Sequence, residues 1–194
     1  MNQLRLPEWN SQGFLPAILP GEEGHSRNRS PYVISCSELV ERFGSSNKRL
    51  KILQGFLSYR KKLHELGLVQ GMQWLDGSFV ENIEVLEERD PNDIDVVTFA
   101  HMPAGENQKS LFEANESLFS HATARSKYKV DGYYIFLDVQ ANQNFIKQIN
   151  YWYSMWSHTR SEQWKGFLQL DLNNTDDAQA SELLTSLLES ADEK

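Results

Sequence analysis

Asp93 and Asp95 stand two apart in the run Asn92-Asp93-Ile94-Asp95-Val96-Val97. On a β-strand, residues two apart share a face, so both carboxylates project together while Ile94 turns inward. Two adjacent carboxylates repel, and a hard divalent cation relieves that repulsion. Magnesium suits such a pair, because it takes few protein carboxylates and completes its octahedron with water and phosphate oxygens. Alone, an Asp-x-Asp pair is also a common accident of exposed strand faces. Upstream, Gly77-Ser78 follows an apolar run. A glycine there lets the backbone approach a phosphate without a Cβ in the way, and the serine hydroxyl with neighbouring N–H groups can hold an anion. An ordinary turn with Ser78 as a helix cap explains the same residues. Asp131 lies within the apolar run KYKVDGYYIFLD, where an unpaired charge is costly. A metal shared with Asp93 and Asp95 would compensate it, as would an ion pair with Lys127 or Lys129. Asp138 competes as the third carboxylate, but its opposite parity turns it to the other side of the strand.

These residues need a scaffold of strands and helices. The apolar run over 68–75 reads as a strand leading into Gly77-Ser78, and 79–88 as a short helix or elaborated loop stopped by Pro91. Strands are expected over 93–100, 128–139 and 165–172 from their β-branched and aromatic content. Helices are expected over 37–43, 47–66, 106–125 and 144–157. In the second, Leu50, Leu53, Phe56 or Leu57, and Leu63 recur at helical spacing, with Ser45 or Ser46 as cap and Gly67 as stop. In the last, Trp152 and Trp156 form a core stripe. The element order predicts an α/β (α+β) fold with a mixed sheet flanked by helices. Pro7, Pro16, Pro20 and Pro31 make residues 1–45 begin as an irregular arm, whose Trp9, Phe14 and Leu15 should pack on the core. The domain proper is expected over 46–172. Residues 173–194 form an acidic amphipathic tail, with Leu183, Leu184, Leu187 and Leu188 at helical spacing, docked on the domain or on a partner.

Charge and composition narrow the function classes. The net charge is −8, of which the tail carries −5, leaving −3 for the other 172 residues. An acidic chain repels a polyanion, so nucleic acid is an unfavoured partner. The basic cluster Lys48, Arg49, Lys51, Arg60, Lys61 and Lys62 reads first as solvated surface charge, with a phosphate-facing role as the alternative. No apolar run reaches the roughly eighteen residues of a membrane span, and MNQLRLPEWN has no secretion-signal pattern. One cysteine, Cys36, and five scattered histidines argue against structural zinc. A cytoplasmic location is the simplest expectation.

Together, the strand, Gly77-Ser78, a fourteen-residue spacer, Asp93-Ile94-Asp95 and a later Asp131 resemble the nucleotidyltransferase superfamily of DNA polymerase beta. DGSFVEN, PNDIDVV and YKVDGYY also look like a bacterial family of small nucleotidyltransferase-like proteins, over residues 8–172. The resemblance implies attack of an acceptor oxygen on the α-phosphorus of a nucleoside triphosphate, with pyrophosphate leaving. It implies that Asp93, Asp95 and Asp131 hold magnesium or manganese, that Asp131 lies near the nucleophile, and that Gly77 and Ser78 cradle the β- and γ-phosphates. The acceptor it implies is a protein or small molecule, in some relatives within toxin–antitoxin or defence systems. A catalytically idle nucleotide-binding or antitoxin-like module, and an enzyme extending RNA ends, are the alternatives.

Overall fold

Residues 6–192 are described by the structure, a computed structural model. In chain order the elements are β1 (Tyr32–Val33), α1 (Cys36–Phe43), α2 (Asn47–Glu65), β2 (Gly71–Asp76), α3 (Ile83–Leu86), β3 (Ile94–Ala100), α4 (Gln108–Ala114), α5 (Glu116–Phe119), α6 (His121–Tyr128), β4 (Val130–Phe136), α7 (Gln143–Trp156), β5 (Leu168–Asp171) and α8 (Asp177–Asp192). The strands make one five-stranded sheet in the order β1-β5-β2-β3-β4. β1–β5 and β3–β4 are parallel, whereas β5–β2 and β2–β3 are antiparallel. The chain therefore has the expected mixed sheet flanked by helices.

Strand parity divides the sheet into two faces. Leu75, Ile94, Val96, Val130, Leu168 and Leu170 turn to the larger core, which α1, α2, α4–α6 and α8 cover. Trp74, Val97, Phe99 and Ile135 turn the other way, under α7. That helix packs through Phe145, Ile149, Trp152 and Trp156, a stripe at spacings of four, three and four. It covers only part of its face. The C-terminal end of β2 and the N-terminal ends of β3 and β4 project past it, and there the candidate residues stand.

Local chemistry sets the boundaries. Ser35 and Glu38 form a capping box on α1, and Ser46 accepts from the Arg49 N–H at the start of α2. Leu68, expected to open a strand, instead closes α2 by donating its N–H to the Leu63 carbonyl, so β2 begins at Gly71. The single helix expected over 106–125 is three. Asn115 Nδ2 folds back onto the Leu111 carbonyl and Ser120 is extended, both polar residues that compete with helical backbone bonding. β4 is shorter than 128–139, because Tyr128 still belongs to α6 and Lys129 is left-handed. β1 was not foreseen, being too short to show a period.

The arm packs on the core: Leu15 is buried, and Trp9 Nε1 donates to the Val80 carbonyl at 2.8 Å. The tail docks on this chain. Ala180 and Leu184 are buried, Asp176 accepts from Ser37, and Asp177 pairs with Arg60 at 2.8 Å. That pairing corrects the expectation of solvated charge along α2. Lys48, Lys51, Lys61 and Lys62 are exposed, but Arg49 and Arg60 are fully buried and bonded to several partners. The basic residues were not equivalent, because only those two fall on the stripe side of the helix. Residues 1–5 of the arm, including that part of the stretch read for a secretion signal, and residues 193–194 of the tail lie outside the described residues. Among the described residues no helix is long and apolar enough to cross a membrane.

Candidate active site

Asp95, the second residue of β3, lies directly opposite Asp76 on β2 and Asp131 on β4. Residues paired across strands project to the same face, so these carboxylates form a row transverse to three strands. Asp93 precedes β3 and joins the row through Arg125, whose Nε lies 2.7 Å from Asp93 Oδ2 and whose terminal nitrogen also pairs with Asp131. The structure thus brings Asp93, Asp95 and Asp131 together. Asp138 lies elsewhere: it follows β4, is exposed, and pairs with the His101 ring at 2.9 Å and with the Met102 N–H. The partners of Asp131 are Arg125, His121 Nδ1 at 3.0 Å and the Tyr133 hydroxyl at 3.4 Å, rather than Lys127 or Lys129.

Asp76 was not singled out by sequence, although it directly precedes Gly77; the register of β2 against β3 places it in the row. It is buried, with Lys165 Nζ 2.9 Å from its Oδ1. The same ammonium lies 2.7 Å from Glu81 Oε1, so Lys165 joins the two ends of the turn that contains Gly77 and Ser78. Nothing in the sequence of KGFLQL marks Lys165 for this place. From beneath, Arg49 holds the same turn: it donates to the Phe79 carbonyl at 2.6 Å and the Glu81 carbonyl at 2.7 Å, and forks onto Glu84 of α3. Gly77 has φ +82°, a conformation that disfavours any side chain, and a Cβ there would overlap Asp95 Oδ2. Glycine is required so that the turn and the Asp95 carboxylate can touch. Ser78 follows, half-buried, on the turn.

Five carboxylates (Asp76, Glu81, Asp93, Asp95 and Asp131) face two permanent cations, Arg125 and Lys165. The crowding shows in the acidity of Asp95 and Asp76. Burial first, then repulsion from Asp76, Asp93 and Asp131, pushes Asp95 up to about 7 against the opposing pull of Arg125. Burial also raises Asp76 to about 6; Lys165 pulls it down and Glu81 pushes it up. Lys165 is raised: burial opposes its charge, but Asp76 and Glu81 outweigh burial.

The row is an all-oxygen donor set with surplus negative charge, which fits a hard divalent cation. Among the described residues, no three His, Cys, Asp or Glu side chains already converge as a metal cage. Arg125 spans Asp93 and Asp131, with about half of its side chain exposed. A surface groove of about 680 Å³ between α2 and α8 shares no residue with the row. A smaller one of about 300 Å³ includes His121 and Tyr133 and so adjoins Asp131.

Comparison with curated proteins and with solved structures gives no match. Residues 7–171 match a family of unknown function, DUF6932. The match takes in all five strands and every carboxylate of the row, and the chain belongs to that family.

Proposed function

We infer that this chain is a magnesium-dependent nucleotidyltransferase that moves a nucleoside monophosphate from a nucleoside triphosphate onto a hydroxyl of a protein or small acceptor. One observation carries the reading: Asp95 stands in register with Asp131 on one side and beside Asp76 and the left-handed Gly77 on the other. A triphosphate chain laid over Gly77 meets backbone with no Cβ and the Ser78 hydroxyl, and its α-phosphate then lies toward Asp93 and Asp95. Asp131 flanks the incoming acceptor, oriented by His121 and Tyr133. Asp93, Asp95 and Asp131 would hold magnesium, or manganese in its place, which supplies positive charge to the phosphate oxygens. Arg125, which pairs with Asp93 and Asp131, would have to give up both carboxylates for them to hold the cation. The acceptor oxygen bonds to the α-phosphorus, the bond to pyrophosphate breaks, and the hydroxyl proton passes to a carboxylate of the row. A cytoplasmic setting, where the triphosphate and magnesium are abundant, agrees with this chemistry.

The test uses the full chain with α-labelled nucleoside triphosphates, magnesium and cell lysate, compared with Asp93→Asn, Asp95→Asn and Asp131→Asn. Transfer is expected to fall at least about a hundredfold in each, the scale of losing a transition-state charge contact. Magnesium-dependent transfer that survives Asp93→Asn and Asp95→Asn sinks the assignment. A second reading is favoured by Arg125, which already neutralises Asp93 and Asp131. It is an idle nucleotide-binding module, recognised by titration calorimetry that shows triphosphate binding while no pyrophosphate is produced.

A further inference from the structure

Lys165 is a buried cation to which the chemistry above gives no task. Only 7% of its side chain is exposed, so its charge is not solvated. Nζ lies 2.9 Å from Asp76 Oδ1 and 2.7 Å from Glu81 Oε1, and those two residues bracket the turn that carries Gly77 and Ser78. The root of the side chain is held as well. Lys165 N–H donates to the Ser157 carbonyl at the end of α7 at 2.9 Å, and the next residue, Gly166, donates to the Leu15 carbonyl of the arm at 2.7 Å.

The turn that this ammonium grips has donors to spare. Val80 N–H donates to the Gly77 carbonyl at 3.1 Å and Glu81 N–H to the Ser78 carbonyl at 3.3 Å. The N–H groups of Ser78 and Phe79 and the Ser78 hydroxyl make no hydrogen bond among the described residues. Gly77, left-handed, leaves room for Asp95 Oδ2 against the same turn. Asp76 in turn lies directly opposite Asp95 in the β2–β3 ladder. Lys165 therefore touches the row and the turn together, through Asp76 and Glu81. Arg49 reaches only the turn and α3.

Fastening alone does not call for ions. Well-packed apolar residues in place of a buried ion group often leave stability unchanged or improve it. An ammonium differs in what it fixes, because each of its N–H groups sets a bond length and direction to its acceptor. With one carboxylate at the end of β2 and another at the end of the turn, Lys165 sets the distance between them.

We propose that Lys165 is a positioning residue that holds the Gly77-Ser78 turn in register with the carboxylate row, so that a divalent cation on Asp93 and Asp95 and a triphosphate over the turn bind as one unit. The two ligands rest on the nucleotidyl-transfer reading; the clamp rests on the bonds of Lys165. Its consequence is a coupling: the cation tightens the triphosphate, and the triphosphate tightens the cation by the same factor. With the clamp released, each ligand still finds its own residues, but neither helps the other.

The experiment uses the full chain, manganese followed by electron paramagnetic resonance, and a non-hydrolysable nucleoside triphosphate followed by calorimetry. In the wild type, manganese is expected to tighten the analogue at least about tenfold. Glu81→Ala frees one end of the clamp and leaves the row intact. It should bind manganese alone as the wild type does and lose most of the coupling. Glu81→Gln, whose amide oxygen still accepts from the ammonium, should keep it. Lys165→Met alone strands two buried carboxylates, so it is combined with Asp76→Asn and Glu81→Gln, which removes all three charges at nearly constant volume. Circular dichroism checks that this triple variant is folded, and it too should lose the coupling. Wild-type coupling in both the triple variant and Glu81→Ala overturns the proposal and leaves Lys165 a fastening. So does a wild type whose affinity for the analogue ignores manganese; transfer of label to a lysate acceptor, lost in Asp95→Asn, would then still uphold nucleotidyl transfer. Coupling that the variants lose, in a chain that releases no pyrophosphate from a hydrolysable triphosphate, supports the clamp and overturns nucleotidyl transfer instead.

Discussion

Asp95 is held in a state that folding alone does not favour. Its carboxyl is pushed to about 7 by burial and by Asp76, Asp93 and Asp131, whereas an unfolded aspartate titrates near 3.9. Between those values the folded chain keeps a proton that the unfolded chain has released. Stability attributable to this group is therefore lost as pH rises from about 4 to about 7, and the loss is complete above that. Asp95→Asn removes the ionisation, so thermal unfolding at pH 8 should show the variant more stable by on the order of 2–4 kcal/mol. At pH 4 the two should nearly coincide. Magnesium should narrow the gap at pH 8 by binding the folded wild type. An Asn variant no more stable than wild type at pH 8 would mean that the row does not repel as its geometry requires. At this scale the sequence was partly legible. Parity alone joins Asp93 to Asp95, and the cost of charge in an apolar strand singles out Asp131. Asp76 escaped because its role depends on strand register, which parity within one segment does not contain. Lys165 and Arg125 escaped because their partners lie far away in sequence or on another element.

The turn from Gly77 to Asn82 is positioned by elements that hold it on two sides. Lys165 ties Asp76 to Glu81, while Arg49, from the first turn of α2, binds two of the turn's carbonyls and Glu84. Arg49→Met would leave the Phe79 and Glu81 carbonyls unpaired in the interior, a loss of about 2–4 kcal/mol in urea unfolding. If the turn cradles phosphates, the same variant should raise the KM for nucleoside triphosphate more than it lowers kcat. An unchanged KM beside reduced stability would leave Arg49 structural only. The helix carrying Arg49 was readable from its leucine stripe and serine cap. Its two buried arginines were not, since an arginine beside a stripe looks the same whether its fork meets water or backbone carbonyls. Likewise, the period over 106–125 is helical throughout, and only the folding-back of Asn115 and the extended Ser120 reveal three segments.

Across the whole molecule, Arg60 joins parts that are distant in the chain. Fully buried on α2, it donates to Gln73 of β2 at 2.6 Å, to the Asn173 carbonyl after β5 at 2.8 Å, and to Asp177 at the start of α8. Gln73 in turn donates to Thr98 on β3 at 3.0 Å, so one guanidinium links helix, sheet and tail. Removing one partner of a buried pair costs about 3–5 kcal/mol, because the other charge and the carbonyls stay buried without compensation. That is a large fraction of the roughly 5–15 kcal/mol that holds a domain of this size folded. Arg60→Met should therefore lower the urea midpoint sharply. Because the same residue touches the sheet and the tail, tryptophan fluorescence and far-ultraviolet circular dichroism should shift together, with an unchanged slope. If α8 instead melts in an earlier, separate transition, the tail is an appendage and Arg60 only its anchor. A single coincident transition would show that the acidic tail, which sequence could assign either to this chain or to a partner, is part of what keeps the β2 and β3 ends aligned beneath the carboxylate row.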